Sequence, residues 1–464
     1  MKLVRNYRPS IEEFSRVVVS DRIHNTQNYL RQIFIGVTWL YAAALHWAHF
    51  GYLNTYWEYY GFSYRPPSFF ELALTFFLIT IGAATMPLGY ARASSMVLML
   101  LYIVVYVPTM TITMGLDADR WSLYVPSLIA LCAGFTVACI LTRWMFNEPM
   151  PSDKMPNETF IGIVLSLFGI SAIILFFNYR EILTFASLDD IYQQRAAGAV
   201  TNLFIGYIKT YFSNVLSPIL LTAGLIQRRH YLTLLGVFGC LFMYTIDAQR
   251  TVFLIPFIIT GLYFSLTKFG YYLRSTAMPV ALFTVIVLFC NIFGEGNPIS
   301  SFFSKYVVFR TISLPGLSFS QYHDLFKGDG LTWWSHIRGI DLFVNPPPAF
   351  YAHPAWPNLG YIVGDYFYGN LENNANANLF AGDGVAAAGP FGVVIAGLSL
   401  AGWLVLLDRA SAGWSRLFVV LVIFPVGFSL TNGHLSTVLL SFGGLFWLMI
   451  FAIYKPNRSL GDVL

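Results

Sequence analysis

Charge is scarce in this chain. Of 464 residues only 11% are Asp, Glu, Lys or Arg, against 56% hydrophobic and 17% aromatic. A soluble protein of this length carries about a quarter charged residues, so an ordinary water-soluble enzyme is excluded. Cysteine is rarer still. Cys132, Cys139, Cys240 and Cys290 lie in apolar runs without CxxC spacing, which argues against a zinc ribbon or a redox pair and reads them as small buried hydrophobes. The net charge of +4 comes with no basic block, RNP-type aromatic pattern or zinc-finger spacing, so nucleic acid is not an expected partner. GxSxG, HExxH and Walker sequences are missing, as are the short alternating segments of a β-barrel.

Long apolar runs are what the chain has instead. Many approach the roughly 20 residues that carry a helix across a bilayer, and Trp, Tyr or charged clusters bound them. The expected fold is all-α: a polytopic integral membrane protein of about 12 transmembrane helices, with a large external loop between helices 9 and 10. The spans are expected at 33–51, 70–89, 94–114, 122–142, 160–177, 204–226, 231–246, 251–268, 275–293, 384–407, 417–431 and 436–454. This divides the chain into a cytoplasmic N-terminal segment (1–32), helices 1–9 (33–293), a periplasmic loop (294–383), and helices 10–12 with a cytoplasmic tail (384–464). The basic N-terminus has no small-residue cleavage site after the first apolar run, which reads as a retained helix.

Lys and Arg set the orientation. Arg5, Arg8, Arg16, Arg22 and Arg31 precede the first span, and Arg92, Arg143, Lys154, Arg228, Arg229, Lys268, Arg274, Arg409 and Arg416 occupy every even-numbered connection. Basic residues accumulate on the cytoplasmic side, so both termini are expected there. Five arginines then fall on the opposite, outer face: Arg180, Arg195, Arg250, Arg310 and Arg338. An outer cluster of guanidinium groups suits an anionic substrate in the outer leaflet, because the always-protonated planar fork matches phosphate oxygens. A polyprenyl diphosphate carrying a sugar chain fits that description. The blander reading of Arg250 is an ion pair with Asp247 or a side chain snorkelling to lipid headgroups.

Two outer segments carry further polar residues. Residues 178–203 are expected to include a polar helix, with Arg180 and Arg195 flanking Asp189 and Asp190. The second segment, of about 90 residues, is long enough to be functional, and its YVVFRTISLPGLSFSQYHDLF stretch is amphipathic enough to lie at the interface. Glycosyl transfer from a diphosphate needs the leaving group stabilised and an acceptor hydroxyl deprotonated. Arginines suit the first task. For the second, His323, Asp383 and His434 are the leading candidates, with His336, Asp324, Asp365 and Glu372 behind them. Asp117 and Asp119 read as a solvated turn rather than a metal-binding pair, and His46 and His49 as core or interfacial histidines.

At DDIYQQRAAGAV, YTIDAQRTVFLIPF, FRTISLPGLSFSQYHDLF and NANANLFAGDGVAAAGPFGVVIAGL the chain resembles the Wzy-type oligosaccharide repeat unit polymerases, the O-antigen polymerases. The likeness covers roughly residues 185 to 400. It rests on Tyr192 with Arg195, on Arg250 after a short outer turn, on Arg310 heading the long loop, and on the glycine-rich run from Gly382 to Gly392. The resemblance implies a multi-pass bacterial inner-membrane glycosyltransferase working at the periplasmic face without metal, cofactor or nucleotide sugar. Such an enzyme transfers the growing glycan from undecaprenyl diphosphate to the non-reducing end of another lipid-linked repeat unit. Tyr192, Arg195, Arg250 and Arg310 would hold the diphosphate, and Arg180, Arg338, His336 and Glu372 are secondary candidates. Expected partners are the lipid-linked oligosaccharide, membrane lipids and a chain-length regulator protein. The alternatives are an O-antigen ligase acting on lipid A core and a transporter or flippase of lipid-linked glycans. A transporter calls for charges within helix interiors and internal repeats; neither is visible in the sequence.

Overall fold

A computed structural model describes residues 11–116, 118–145, 156–185, 191–198, 202–270 and 273–454. The described residues form helices and connections, with no strand among them. Eight helices are long and apolar enough to cross a membrane: Asn28–Tyr60, Ala93–Gly115, Trp121–Trp144, Glu158–Tyr179, His230–Asp247, Arg250–Phe269, Thr276–Phe293 and Phe380–Ala410. The bent pair Leu435–Ser441 and Gly444–Ile453 makes a ninth if it is one span, and Phe69–Thr85 and Arg416–Ser429 are shorter apolar helices. The remaining expected span, near 204–226, is a continuous helical run over 203–227 with a π-helical turn at its middle. Buried Lys209, Ser213 and Asn214 make it more polar than its neighbours. All twelve expected segments are thus helical, and the chain has the make-up of a polytopic membrane protein. Its first helix begins earlier than expected, at Ile11.

Small residues let the central helices touch. A Cβ on Gly397 would stand 2.5 Å from the Cα of Gly134, so the 121–144 and 390–410 helices meet backbone to backbone. Several of the expected cytoplasmic arginines tie helix ends together. Arg92 donates to the Thr142 carbonyl (2.9 Å), Arg31 to the carbonyls of Ala83 and Met86 (3.1 and 3.0 Å), and Arg229 pairs with Glu158. Beside them Asp408 accepts from the backbone N–H and the hydroxyl of Ser94 (3.0 and 2.5 Å).

The segment expected as an external loop is built differently. Residues 298–325 form one helical run, and Pro315 to Tyr322 are buried within the bundle. Gly316 lets the helix press against Ala93–Gly115, where a Cβ would be 2.9 Å from the Pro108 carbonyl oxygen, and Ser313, Ser318 and Ser320 are small buried residues of the same run. Phe309 stacks on Trp57 at 3.7 Å and anchors the other half. Next comes the Leu359–Tyr368 helix, whose Gly360 and Gly364 hold the asparagine-rich stretch flush against it.

The expected span at 384–407 also differs. Its helix starts at Phe380 and is broken at Ala388 and Gly389, where Gly389 has φ +60° and Pro390 follows. A left-handed φ is open to glycine, and the ring of Pro390 lacks an N–H to continue the helical ladder. The two parts fold close together: a Cβ on Gly392 would lie 2.1 Å from the Gly384 carbonyl oxygen.

Candidate functional site

The broken helix creates the site. Its break leaves the carbonyls of Ala386 and Ala387 without helical partners, and the backbone N–H groups of Thr332 and Trp333 donate to them (2.9 and 2.8 Å). Trp334 Nε1 donates to the Asp383 carbonyl (2.9 Å). These three bonds hold the 332–336 stretch on the short helical segment and bring His336 to Asp383. At the other end, Asn378 Oδ1 accepts from the N–H groups of Phe380 and Ala381 (3.0 and 3.2 Å).

His434 arrives from a third segment. Asp383 Oδ2 accepts from the Leu435 N–H at 2.5 Å, and Gly382 leaves room for the His434 ring, which a Cβ there would approach to 2.5 Å. His336 and His434 have ring centroids 5.4 Å apart. His336 Nε2 is 3.9 Å from Asp383 Oδ1, while His336 Nδ1 contacts Thr332 Oγ1 at 2.8 Å. One ligand atom from each of His336, Asp383 and His434 lies within 4.8 Å of the other two. Burial lowers the pKa of His434, with the nearby Asp383 carboxylate opposing, so the neutral, proton-accepting imidazole is favoured there.

Both histidines line a cavity of about 430 Å³. The side-chain amides of Asn214, Gln249, Asn358, Asn374, Asn376 and Asn432 supply much of its wall, with hydroxyls from Ser436 and Thr437 and the faces of Tyr361 and Phe442. Among the described residues no Asp, Glu, Lys or Arg lines it. Paired donors and acceptors on a neutral wall, with aromatic faces between, suit an uncharged polyhydroxyl ligand. A recess of about 250 Å³ shares Asn214, Gln249 and Phe442 with the cavity and reaches Lys209 and Asp247.

Cationic groups gather beside that recess. Lys209 Nζ is 3.4 Å from Asp247, donates to the Gly198 carbonyl (2.8 Å) and lies over the Tyr179 ring at 5.2 Å. Arg195, on the Ile191–Ala197 helix, acts electrostatically on the same Asp247. That short helix is held by Gln194, whose Nε2 donates to the carbonyls of Ile182, Thr245 and Ile246 (2.8, 2.7 and 3.1 Å). Arg250 opens the Arg250–Phe269 helix between two cavity-lining residues, Gln249 and Thr251, and its guanidinium lies 4.4 Å from the Tyr306 ring centroid. Asp247 therefore bonds Lys209 and Gln249, and Arg250 lies over the ring of Tyr306. Arg310 is exposed one turn beyond Tyr306.

The remaining candidates are spread more widely. His323 packs perpendicular to the Tyr124 ring at 5.0 Å, with Nδ1 3.8 Å from Asp324, and neither joins the His336 group nor lines the cavity. Asp324 accepts from the Tyr124 hydroxyl (3.0 Å), and Asp365 contacts His353 (3.2 Å). Arg180, Arg338 and Glu372 are exposed. His49 is a buried core residue bonded to the Ser63 carbonyl at 3.0 Å, and His46 contacts the Tyr64 hydroxyl. The side chains of Tyr192, Asp117, Asp119, Asp189 and Asp190 lie outside the described residues. Lys209 is the functional candidate that sequence reading missed; the available signal was a lone cation inside an apolar run. No family model, curated protein or solved structure matches this chain.

Proposed function

We propose that this protein is a bacterial inner-membrane glycosyltransferase that polymerises lipid-linked oligosaccharide repeat units, as its resemblance to the O-antigen polymerases suggests. The observation that carries the reading is a neutral, amide-lined cavity that holds His336 and His434 beside Asp383 and adjoins, through Asn214, Gln249 and Phe442, a recess lined by the Lys209–Asp247 pair. A glycan on a polyprenyl diphosphate has the matching parts, an uncharged sugar chain and an anionic leaving group. Arg195, Arg250 and Arg310, with Lys209, hold the diphosphate and stabilise the charge that grows on it as the glycosidic bond to phosphate breaks. The acceptor hydroxyl attacks the anomeric carbon and gives up its proton at the His336, Asp383 and His434 group. Twelve spans, cytoplasmic termini and a periplasmic site complete the proposal, with undecaprenyl diphosphate as the carrier.

The test is to incubate the purified full-length protein with polyprenyl-diphosphate repeat units and no nucleotide sugar. A ladder of glycan lengths is expected. Transfer only to added lipid A core identifies a ligase instead, and movement of the lipid across vesicles without a new glycosidic bond identifies a transporter.

A further inference from the structure

We infer that His336, Asp383 and His434 form a binding site for a divalent transition-metal ion of the zinc class, with an open coordination position facing the amide-lined cavity. Two imidazoles and one carboxylate are a donor set such ions favour, and three protein ligands leave a fourth position free. The three ligand atoms already lie within 4.8 Å of one another. In a tetrahedral site with bonds of about 2.0–2.1 Å, ligand atoms stand roughly 3.3 Å apart. The 3.9 Å between His336 Nε2 and Asp383 Oδ1 is close to that and closes with small side-chain rotations.

A second observation points to the same ion. His336 Nε2 and Asp383 Oδ1 are both buried without a hydrogen-bond partner, on side chains only 4% and 6% exposed. At 3.9 Å they are too far apart to bond each other, and a buried polar atom left unpaired is costly. An ion between them satisfies both. Each ligand is also oriented from behind, as metal ligands are. Thr332 Oγ1 engages Nδ1 of His336, the Leu435 N–H engages Oδ2 of Asp383, and Gly382 seats the His434 ring. Mg²⁺ and Ca²⁺ fit less well, since they draw mainly on oxygen ligands and this group offers a single carboxylate.

His336 and His434 both line the cavity, so a hydroxyl of a bound sugar can reach the open position. Coordination there lowers the pKa of that hydroxyl, so with the ion bound the proton leaves to solvent and the three side chains hold the ion instead of accepting the proton themselves. This consequence rests on the function proposed above, whereas the metal site does not. The site also departs from the metal-free expectation of the sequence. Its three ligands come from separate segments, so no short motif announces them.

The experiment uses the full-length protein in detergent, stripped with chelator, loaded with Zn²⁺ or Co²⁺, desalted and analysed for metal. The wild type is expected to retain a single ion per chain and, with Co²⁺, to develop the intense visible absorption of a tetrahedral site. Retention should fall at least tenfold in His336→Ala/His434→Ala and in Asp383→Ala, and stay unchanged in His323→Ala. A wild type that keeps no more metal than the double variant, or shows no tetrahedral Co²⁺ spectrum, overturns the site; the spectrum decides even where a variant fails to fold. No substrate enters these measurements, so their failure is separate from failure of the polymerisation assay.

Discussion

At the scale of single residues, the buried pair of Lys209 and Asp247 dominates the polar side of the bundle. Their side chains are only 8% and 7% exposed, and removing one member leaves the other charge without compensation in a poor dielectric. Lys209→Met should therefore destabilise by about 3–5 kcal/mol, read as a lower melting temperature in detergent. Replacing both in Lys209→Met/Asp247→Asn should recover most of that loss. A double variant no better than the single one would show that Lys209 acts through its other contacts. Arg250 illustrates a different dependence. A flat guanidinium stacks on Tyr306 and presents two parallel donors to phosphate, and a lysine ammonium does neither equally well. Arg250→Ala and Arg195→Ala should abolish polymer formation while folded protein stays in the membrane, and Arg250→Lys should restore less than a tenth of the activity. Normal chain lengths in these variants at ordinary expression would refute the diphosphate assignment.

Whole elements are placed here by glycines that admit backbone. The asparagine-rich stretch lies on Leu359–Tyr368 because a Cβ on Gly364 would meet the Asn373 carbonyl at 1.8 Å, and one on Gly360 the Asn374 side chain at 2.1 Å. Ala375 N–H also donates to the Gly360 carbonyl (3.0 Å). Gly364→Ala should lift this stretch and spoil the amide wall formed by Asn374 and Asn376, lowering glycan transfer more than thermal stability. Equal loss of both would place the contact in the core fold instead. Gly397→Leu acts on the opposite balance. It forces apart two helices in backbone contact, so a cost of about 1–3 kcal/mol or more is expected, and size-exclusion after mild heating should report it as lost monodisperse protein.

Across the whole molecule, the sidedness of the cavity is the consequential property. All four cysteines are buried and free, which provides a quiet background for labelling. With Cys introduced at exposed Glu372, a membrane-impermeant thiol reagent should react from the periplasm, whereas Cys in place of His230 should react only after lysis. Reversed labelling would put the cavity on the cytoplasmic face and remove its access to an outer-leaflet substrate.

Apolar run length and the near-absence of charge were enough to place helices at all twelve expected segments, because a bilayer-length apolar helix is a local property of composition. The same reading named Arg195 and Arg250 among five expected outer arginines, and Asp383 and His434 among seven outer-face acid–base candidates, from residue type and expected sidedness. It did not foresee that residues 298–325 form one helical run with Pro315 to Tyr322 buried, since Gly316 becomes packing surface only when the Ala93–Gly115 helix lies opposite. It also ranked His323 above His336, since nothing local distinguishes the two. Only the tertiary structure decided that His336, rather than His323, meets Asp383 and His434. That meeting depends on carbonyls freed at the Ala388 and Gly389 break, on the donors of Thr332 and Trp333 that claim them, and on space left at Gly382. Each is a contact between segments far apart in the chain, and composition and spacing do not encode such contacts.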